Sequence, residues 1–482
     1  MANQEDISRA QQGKVAWNAW AKENPGTGVN FHEADFKQID FAGFVFPGAV
    51  DFAGASLDAH VSFKGTEFCD TANFHNTRFL GVGDFRGATF KGEATFHSVQ
   101  FRKDSAHFDG ATFEGHANFL SAIFDKAAAH FNGTTFLQDA IFAEAKFTRS
   151  AVFSNARFGK LADFRAAKFS GDSDFQKATF SDGPARFHNA IFYQIAHFGG
   201  ASFGKEGADF SPTKFTRSAT FDEAHFTGYA NFQRAQFIGE AFFRNTKLRG
   251  LVAFDDAQFT TIAVFKDSTF GSVPTFHGAQ LHEGTSFEAV TWPPRPHEDQ
   301  SAYDAARAWG RLRIEMSRLH RYEDELLFFE RELWARARDT TNEPLAKRLL
   351  YRCYLALGAG RSVAKPLGWL LGLNAVLFLP IYWFATSAIR GRTLSIWDIL
   401  ADIVSFNIPG DVVSFTLGQA LPFIGGSNPE RVDLYRRLFA GADTAGIDVP
   451  LWLEFVGTFQ QLVGVGLLFM IGLALRNRFR MK

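Results

Sequence analysis

The chain has 482 residues, enough for about three domains of ordinary size. Its 50 Lys and Arg residues balance 51 Asp and Glu residues, and this near-neutral charge argues against a protein that coats nucleic acid or mimics it by bulk charge. The two cysteines, Cys69 and Cys353, form no CxxC pair, which excludes a disulfide framework and a zinc knuckle and is typical of a reducing, cytosolic setting. The N-terminal residues are polar, so we expect no cleavable signal sequence.

Residues 1–30 precede a repeat that starts at Phe31, and they contain Trp17 and Trp20 followed by Asn24-Pro25. The first turn of any stacked repeat exposes apolar side chains and unpaired backbone groups unless another segment covers it. We therefore interpret residues 1–30 as an N-terminal capping helix, and we favour this role over a ligand site built on the two tryptophans.

Large apolar residues recur from Phe31 to Trp292 at spacings of five and six, with a few spacings of seven. Of the 48 positions in this series 44 are Phe, and the residue two positions earlier is nearly always small. This period matches neither a helix nor a strand, so no amphipathic element explains it. It predicts a coil that turns a corner at each repeat, with large and small residues inside and successive turns paired about 4.8 Å apart.

The repeat unit is Ala, then Asp or Asn, then Phe, followed by two variable residues, and it resembles the pentapeptide-repeat family. Clear copies are Ala34-Asp35-Phe36, Ala72-Asn73-Phe74, Ala117-Asn118-Phe119, Ala162-Asp163-Phe164, Ala208-Asp209-Phe210 and Ala230-Asn231-Phe232. The resemblance covers 31–292 and implies a right-handed quadrilateral β-helix, a pentapeptide-repeat solenoid, which in this family is often preceded by a capping helix. Four faces and 48 positions give 12 turns. An extra residue at every second corner, which lengthens the common turn to 22 residues, departs from the family pattern.

The segment Pro293–Pro296 ends the repeat, and apolar spacings of three and four then predict one helix over 302–319 and another over 322–337. We assign 293–343 to a cytosolic helical adaptor. Its carboxylates, among them Glu330 and Glu332, have no His or nucleophile placed with them, so we interpret them as solvated surface charges.

Residues 344–365 mix basic side chains with leucines and tyrosines, which predicts an amphipathic helix lying on the inner leaflet of a membrane. The predicted interfacial anchors are Lys347, Arg348, Arg352, Arg361 and Lys365.

Two uncharged segments, 366–389 and 455–475, are long enough to cross a bilayer, for which roughly 20 residues are needed. They define a predicted transmembrane domain over 366–482. Basic residues precede the first span and follow the second, whereas the linking loop 390–454 is net acidic. The positive-inside rule therefore predicts that both termini face the cytoplasm and that this loop is extracytoplasmic.

The junction at Gly360-Arg361-Ser362 and Lys365-Pro366, together with the ending 473–480, resembles bacterial proteins that couple pentapeptide repeats to a two-helix, ion-channel-like membrane domain. The resemblance implies a protein of the bacterial inner membrane. One two-helix subunit cannot enclose a pore, so this function would require a homo-oligomer. The loop contains no Thr-Val-Gly-Tyr-Gly sequence, so selectivity for potassium is not supported.

Small and polar residues form a candidate stripe on the second span. Its members are Gly457, Gln461, Gly464, Leu468 and Gly472, with Thr458 and Gln460 beside them. This stripe has two interpretations, a pore face with Gln461 at the water or close helix packing with glutamine hydrogen bonds between helices, and the small residues favour packing. A candidate re-entrant loop, which would be stable at membrane depth only if buried in protein or lining water, contains Asn407, Pro409, Gly410, Pro422, Gly425 and Gly426.

The sequence contains no P-loop, nucleophile elbow, dinucleotide fingerprint or recognised His metal spacing, so we expect no enzyme, cofactor or metal. The leading hypothesis is a channel-like assembly, gated or positioned by a rod that binds an unknown cytosolic protein. The alternative is a membrane-anchored, non-conducting scaffold. A DNA mimic that binds topoisomerase, known among pentapeptide-repeat proteins, is disfavoured because residues 1–290 carry 27 basic and 32 acidic residues. We expect the lipid bilayer as a partner and no nucleic acid.

Overall fold

A computed structural model describes residues 1–37, 39–58, 61–103, 105–389, 395, 397–398, 401, 405, 408–421, 434, 436–439 and 451–480. The chain forms two compact units, Met1–Leu319 and His320–Lys482. The division between them falls inside the segment 293–343 that the sequence assigns to one helical adaptor.

The first unit contains a parallel β-solenoid with four sheets, which we number as faces 1 to 4 in the order in which the chain visits them. Each strand pairs with the strand of the same face in the next coil. Face 1 comprises Val29–Asn30, Val50–Asp51, Ala72–Asn73, Ala94–Thr95, Ala117–Asn118, Ala140–Ile141, Ala162–Asp163, Ala185–Arg186, Ala208–Asp209, Ala230–Asn231 and Val252–Ala253. Face 2 comprises Asp35–Phe36, Ser56–Leu57, Arg78–Phe79, Gln100–Phe101, Ile123–Phe124, Lys146–Phe147, Lys168–Phe169, Ile191–Phe192, Lys214–Phe215, Gln236–Phe237 and Gln258–Phe259.

The other two faces repeat the arrangement. Face 3 comprises Gly83–Asp84, Ser105–His107, Ala128–His130, Ala151–Val152, Ser173–Asp174, Ala196–His197, Ala219–Thr220, Ala241–Phe242 and Ala263–Val264. Face 4 comprises Val45–Phe46, Glu67–Phe68, Thr89–Phe90, Thr112–Phe113, Thr135–Phe136, Arg157–Phe158, Thr179–Phe180, Ser202–Phe203, His225–Phe226, Lys247–Leu248 and Thr269–Phe270. The solenoid predicted from the sequence is confirmed. It has about 11 coils rather than 12, because isolated bridges and not strands join the last turn, as at Thr269 and Thr291.

The phenylalanines form four columns inside the solenoid. Phe187 is fully buried, and its ring stacks on that of Phe210 in the next coil with centroids 4.8 Å apart and an interplanar angle of 0°. Within its own coil it meets Phe198 edge-on, at 5.4 Å and 87°. Parallel in-register strands place identical side chains directly above each other, so one ring size fills every layer. This repeated environment accounts for the choice of Phe over Tyr and Trp.

The corners are of two alternating kinds. After faces 1 and 3 the chain makes a tight turn, as where the Ala167 N–H donates to the Phe164 carbonyl oxygen at 3.1 Å and Ala166 has φ of +56°. After faces 2 and 4 the corner contains the extra residue. There a glycine can be required by close approach between coils, since a Cβ on Gly115 would overlap the backbone of Gly92. The 22-residue turn therefore follows from two short and two long corners.

Two helices cover the first coil, α1 (Gln4–Gln11) and α2 (Lys14–Glu23). Trp17 is fully buried and its indole Nε1 donates to the Val45 carbonyl oxygen at 2.9 Å. Asn18 donates to the Gly43 carbonyl oxygen at 3.0 Å and accepts from the Val45 N–H at 2.9 Å. Phe44, which stands at a position that is small in most coils, stacks on Trp17 with ring centroids 5.4 Å apart. The two helices thus bury the first layer of rings and satisfy backbone groups beside it.

The other end of the solenoid packs against α3 (Ala302–Arg318). Trp309 of this helix meets Trp292 edge-on, with ring centroids 6.1 Å apart. The Gln300 side chain accepts from the Val273 N–H and donates to its carbonyl oxygen, at 3.1 and 2.8 Å. Arg318 donates to the Leu281 carbonyl oxygen at 2.6 Å. Helix α3 therefore serves as the second cap, a role that the sequence did not reveal.

The second unit is helical in its described parts. Helix α4 (Tyr322–Arg336) and helix α5 (Leu345–Ala356) precede two long apolar segments. The first, Ala364–Ile389, consists of α6 (Ala364–Leu373), a π-helical turn (Asn374–Phe378) and α7 (Leu379–Ile389). Helix α8 (Gly410–Ala420) follows, and the second apolar segment is α9 (Leu451–Arg480). Both are long and apolar enough to cross a membrane. In an apolar stretch of 18 residues within each, only 28% is buried inside the chain.

Candidate functional site

A network of hydrogen bonds around Gln460 lies buried between the two apolar segments. Gln460 is 1% exposed, and its Nε2 donates to the Asn374 Oδ1 at 2.6 Å and to the Thr416 carbonyl oxygen at 2.8 Å. Its Oε1 accepts from the Tyr382 hydroxyl at 2.7 Å. The network therefore joins α9 to the first apolar segment and to α8. Because both ends of the amide have partners, burial carries little penalty for unpaired polar groups.

Asn374 stands at the start of the π-helical turn. Its Nδ2 donates to the Leu370 carbonyl oxygen at 2.6 Å, which leaves its Oδ1 for Gln460. Tyr382, eight residues and about two turns further along, is fully buried and meets the ring of Phe415 edge-on at 4.9 Å. A π-helical turn in an otherwise α-helical segment is frequent at functional sites. Polar side chains inside apolar helices are likewise a hallmark of function when the helices span a membrane.

Helix α8 packs against α9 near the middle of its length. The Gln461 Nε2 donates to the Gln419 Oε1 at 2.5 Å, and a Cβ on Gly464 would overlap the Ala420 carbonyl oxygen. These two residues of α9 are among the first half of its 30 residues, about 15–20 Å along the helix axis from Leu451. The end of α8 therefore lies level with the middle of an apolar helix.

The predicted stripe on the second span is divided by the structure. Gly457 and Gly464 face the interior of the unit, Gln461 is half-buried, and Gly472 is exposed with nothing within 4 Å of an added Cβ. Thr458 is exposed, and its hydroxyl donates to the Glu454 carbonyl oxygen of its own helix at 2.9 Å. The buried side of α9 is rotated by about one residue from the prediction. It contains Leu453, Gly457, Gln460, Gly464, Leu467, Met470 and Ala474.

Part of the candidate re-entrant loop is described. Pro409 precedes the first residue of α8, Gly410, and α8 packs along both apolar segments through Val412, Phe415 and Ala420. Asn407, Pro422, Gly425 and Gly426 lie outside the described residues.

The predicted interfacial anchors lie on or just after α5. None of the 12 residues of this helix is buried, and Leu345, Leu349 and Leu350 are exposed. Lys347, between Leu345 and Leu349, and Arg352, after Leu350, are exposed, and Arg348 is half-buried. Beyond the helix, Lys365 is exposed and Arg361 donates to the Glu330 carboxylate at 3.1 Å. Only part of the basic set is therefore free to meet another surface.

The sequence analysis did not single out the partners of Gln460, which are Asn374, Tyr382 and Thr416, or the partner of Gln461, which is Gln419. Asn374 could have been recognised from the sequence, because it is the one amide side chain within the uncharged segment 366–389 and polar residues in such segments are usually functional. Among the described residues, no group of three or more His, Cys, Asp or Glu is arranged to hold a metal ion.

These features define a protein with a parallel β-solenoid and a separate helical unit that contains two long apolar helices. A family model for pentapeptide repeats in nine copies matches residues 41–87, 80–123, 119–168, 131–179, 153–202, 164–213, 205–247 and 243–291. The matches cover 41–291, just over half of the chain, and the chain belongs to the pentapeptide-repeat family. Solenoids of this family are typically structural or interaction proteins rather than enzymes. No curated protein and no solved structure matches the chain.

Proposed function

We propose that the protein is an integral protein of the bacterial inner membrane that forms a homo-oligomeric, channel-like assembly. In this proposal 364–389 and 451–479 span the bilayer, both termini are cytoplasmic, and the cytosolic solenoid positions or gates the assembly by binding a cytosolic protein. No catalytic role is proposed for any residue.

The polar network at the middle of α9 is the observation that carries this proposal. If α9 crosses the bilayer, Gln460 and Gln461 lie at hydrocarbon depth, where unpaired amides are costly and polar side chains usually serve transport. Helix α8 would then enter from the loop side and end at the level of Ala420, inside the membrane. A helix that ends at this depth leaves its last carbonyl groups unpaired unless protein or water satisfies them. A water-filled path beside α8 in an oligomer meets this requirement.

A non-conducting, membrane-anchored scaffold is the alternative. It is supported by the exposed leucines of α5 and by the interaction role typical of pentapeptide-repeat solenoids. In that case Gln460, Gln461 and Gly464 act only in helix packing.

Two measurements distinguish the alternatives. Native mass spectrometry of the purified full-length protein should give an oligomer, since one subunit cannot surround a pore. Single-channel recording from that oligomer in planar bilayers should then give discrete currents. A monomer, or silent bilayers from a verified oligomer, would contradict the channel and leave the scaffold.

Gln461→Ala tests the role of α9 within the channel proposal. This change removes the hydrogen bond to Gln419 beside the end of α8, so we expect altered single-channel conductance or ion selectivity. Val465→Ala, at an exposed apolar position of the same helix, is the matched control and should leave both unchanged. Wild-type currents in both variants would leave helix packing as the better account of Gln461.

A further inference from the structure

Face 2 of the solenoid carries an unusual row of lysines. Lys146 and Lys168 are exposed and occupy neighbouring coils in direct register, with Ile191 and then Lys214 in the next two coils. Tyr193, two residues after Ile191, is 42% exposed. We call these five residues the lysine face.

No Asp or Glu lies on the lysine face. The strand residues of face 2 from Lys146 to Phe259, and the residue that follows each of these strands, include no carboxylate. Elsewhere on the solenoid, some basic residues form ion pairs between coils, as Lys266 does with Glu288 at 3.0 Å and Arg244 with Asp222 at 2.8 Å. Within the described residues, none of the three lysines of the lysine face has such a partner.

This arrangement costs stability in the isolated chain. Adjacent strands in a parallel sheet are about 4.8 Å apart, so the bases of the Lys146 and Lys168 side chains are held side by side. Like charges that face each other across a strand pair repel and destabilise a sheet. Repulsion between neighbouring lysines that nothing within the fold offsets is typical of a surface that is used for binding.

The chemistry of the lysine face selects its partner. Three ammonium groups beside an exposed tyrosine and an isoleucine fit a ligand that combines carboxylates with apolar side chains. The corners along the edges of the lysine face are mixed in charge. They carry the exposed carboxylates of Glu144, Asp172 and Glu240 and the exposed guanidinium groups of Arg149, Arg165 and Arg217. A flat anionic bilayer would meet these carboxylates as well as the lysines, and the acidic excess of residues 1–290 disfavours a nucleic acid.

We propose that the lysine face is a docking site for an acidic polypeptide segment that lies along the solenoid axis. This inference deepens the proposed function, since it rests on the solenoid being the part that binds a cytosolic protein, but it does not depend on conduction. An absence of channel currents would therefore not contradict the docking site. Likewise, a failure of the binding test below would not contradict the channel.

The test measures binding of a fluorescent oligo-glutamate peptide to the full-length protein in neutral phosphatidylcholine nanodiscs, by anisotropy. We expect binding that weakens with salt. Lys146→Gln/Lys168→Gln removes two exposed ammonium groups that would pair with peptide carboxylates, so the affinity for the peptide should fall by roughly tenfold. The matched control is Lys64→Gln/Lys247→Gln, which removes one exposed lysine from a corner that leads into face 4 and one from a strand of face 4, and should bind as the wild type does.

A second readout separates binding from folding. If the adjacent lysines repel each other, Lys146→Gln/Lys168→Gln should raise the thermal unfolding midpoint while it weakens binding. Equal loss of binding in both double variants, or a lower midpoint in the face-2 variant, would overturn the proposal. Tighter, lysine-dependent binding of oligothymidylate or of phosphatidylglycerol vesicles would also overturn it, in favour of a nucleic acid or a membrane.

Discussion

At the scale of single residues, the size of the phenylalanine ring determines the solenoid interior. Phe158 is fully buried between Phe136 and Phe180, with ring centroids 5.0 and 4.9 Å away. In the same column Leu248 replaces Phe and pairs in register with Phe226. Most of a ring's volume must therefore be filled at each layer, although an aliphatic side chain can fill it.

Phe158→Ala should lower the free energy of unfolding by about 3–5 kcal/mol, because it removes buried apolar surface and leaves a cavity that stacked coils cannot close. Phe158→Leu is the matched control and should cost about 1–2 kcal/mol. Urea unfolding followed by the β-sheet circular dichroism signal measures both. Equal losses for the two variants would contradict the layer-filling argument.

His130 gives the solenoid a dependence on pH. Its ring stacks on that of His107 with centroids 4.7 Å apart. Burial, and then the charge of His107 when protonated, lower the pKa of His130 below its ordinary value of 6.5, against the opposing effect of Asp109. The unfolded chain therefore binds a proton at higher pH than the folded chain does, and stability falls as pH drops through 6.5.

His130→Gln should consequently make the loss of stability between about pH 7.5 and about pH 5.5 smaller than in the wild type. Urea unfolding at the two pH values measures this difference. His116→Gln, which changes an exposed ring, is the control. A pH dependence that is unchanged in His130→Gln, or steeper, would show that the histidine stack is not responsible.

At the scale of elements, the amides and hydroxyls of α9 divide into buried and exposed groups. Gln460→Leu would leave the Tyr382 hydroxyl and the Asn374 Oδ1 buried without their shared partner. Each of these buried groups loses a hydrogen bond, which typically costs about 1–3 kcal/mol.

We therefore expect Gln460→Leu to lower the thermal unfolding midpoint of the detergent-purified protein clearly. Thr458→Ala is the matched control, because Thr458 is exposed and its hydroxyl donates to the Glu454 carbonyl oxygen of its own helix, so its midpoint should stay near that of the wild type. An unchanged midpoint in Gln460→Leu would mean that the network does not hold the apolar helices together.

The elements differ in how far the sequence predicts them. The solenoid and the two apolar helices follow from local patterns, a period of five to six in one and long uncharged runs in the other. The position of α8 does not, because Gly410–Ala420 is only mildly apolar and its contacts with Tyr382 and Gln460 join residues far apart in the chain. The capping role of α3 was not predicted either, because it depends on a tertiary contact, the one between Trp309 and Trp292.

At the scale of the whole molecule, the two units differ in how much apolar surface they leave exposed. The solenoid would present open strands and bare rings at its ends, and helices with buried tryptophans cover them, through Trp17 at one end and Trp309 at the other. The helical unit instead leaves large apolar side chains exposed along α9, including Phe455, Leu462 and Phe469. An apolar surface of this extent requires lipid or another protein as its environment.

The proposed membrane topology, with both termini in the cytoplasm, is tested most directly by fusions to green fluorescent protein, which fluoresces only when it folds in the cytoplasm. The reporter is fused separately at three positions of the chain, and each fusion is expressed in a Gram-negative bacterium. The positions are before Met1, after Lys482 and within 440–450 of the loop. Fluorescence from both terminal fusions in the membrane fraction, with none from the loop fusion, is the expected result. Fluorescence from the loop fusion, from only one terminus, or from protein recovered in the soluble fraction would contradict the account.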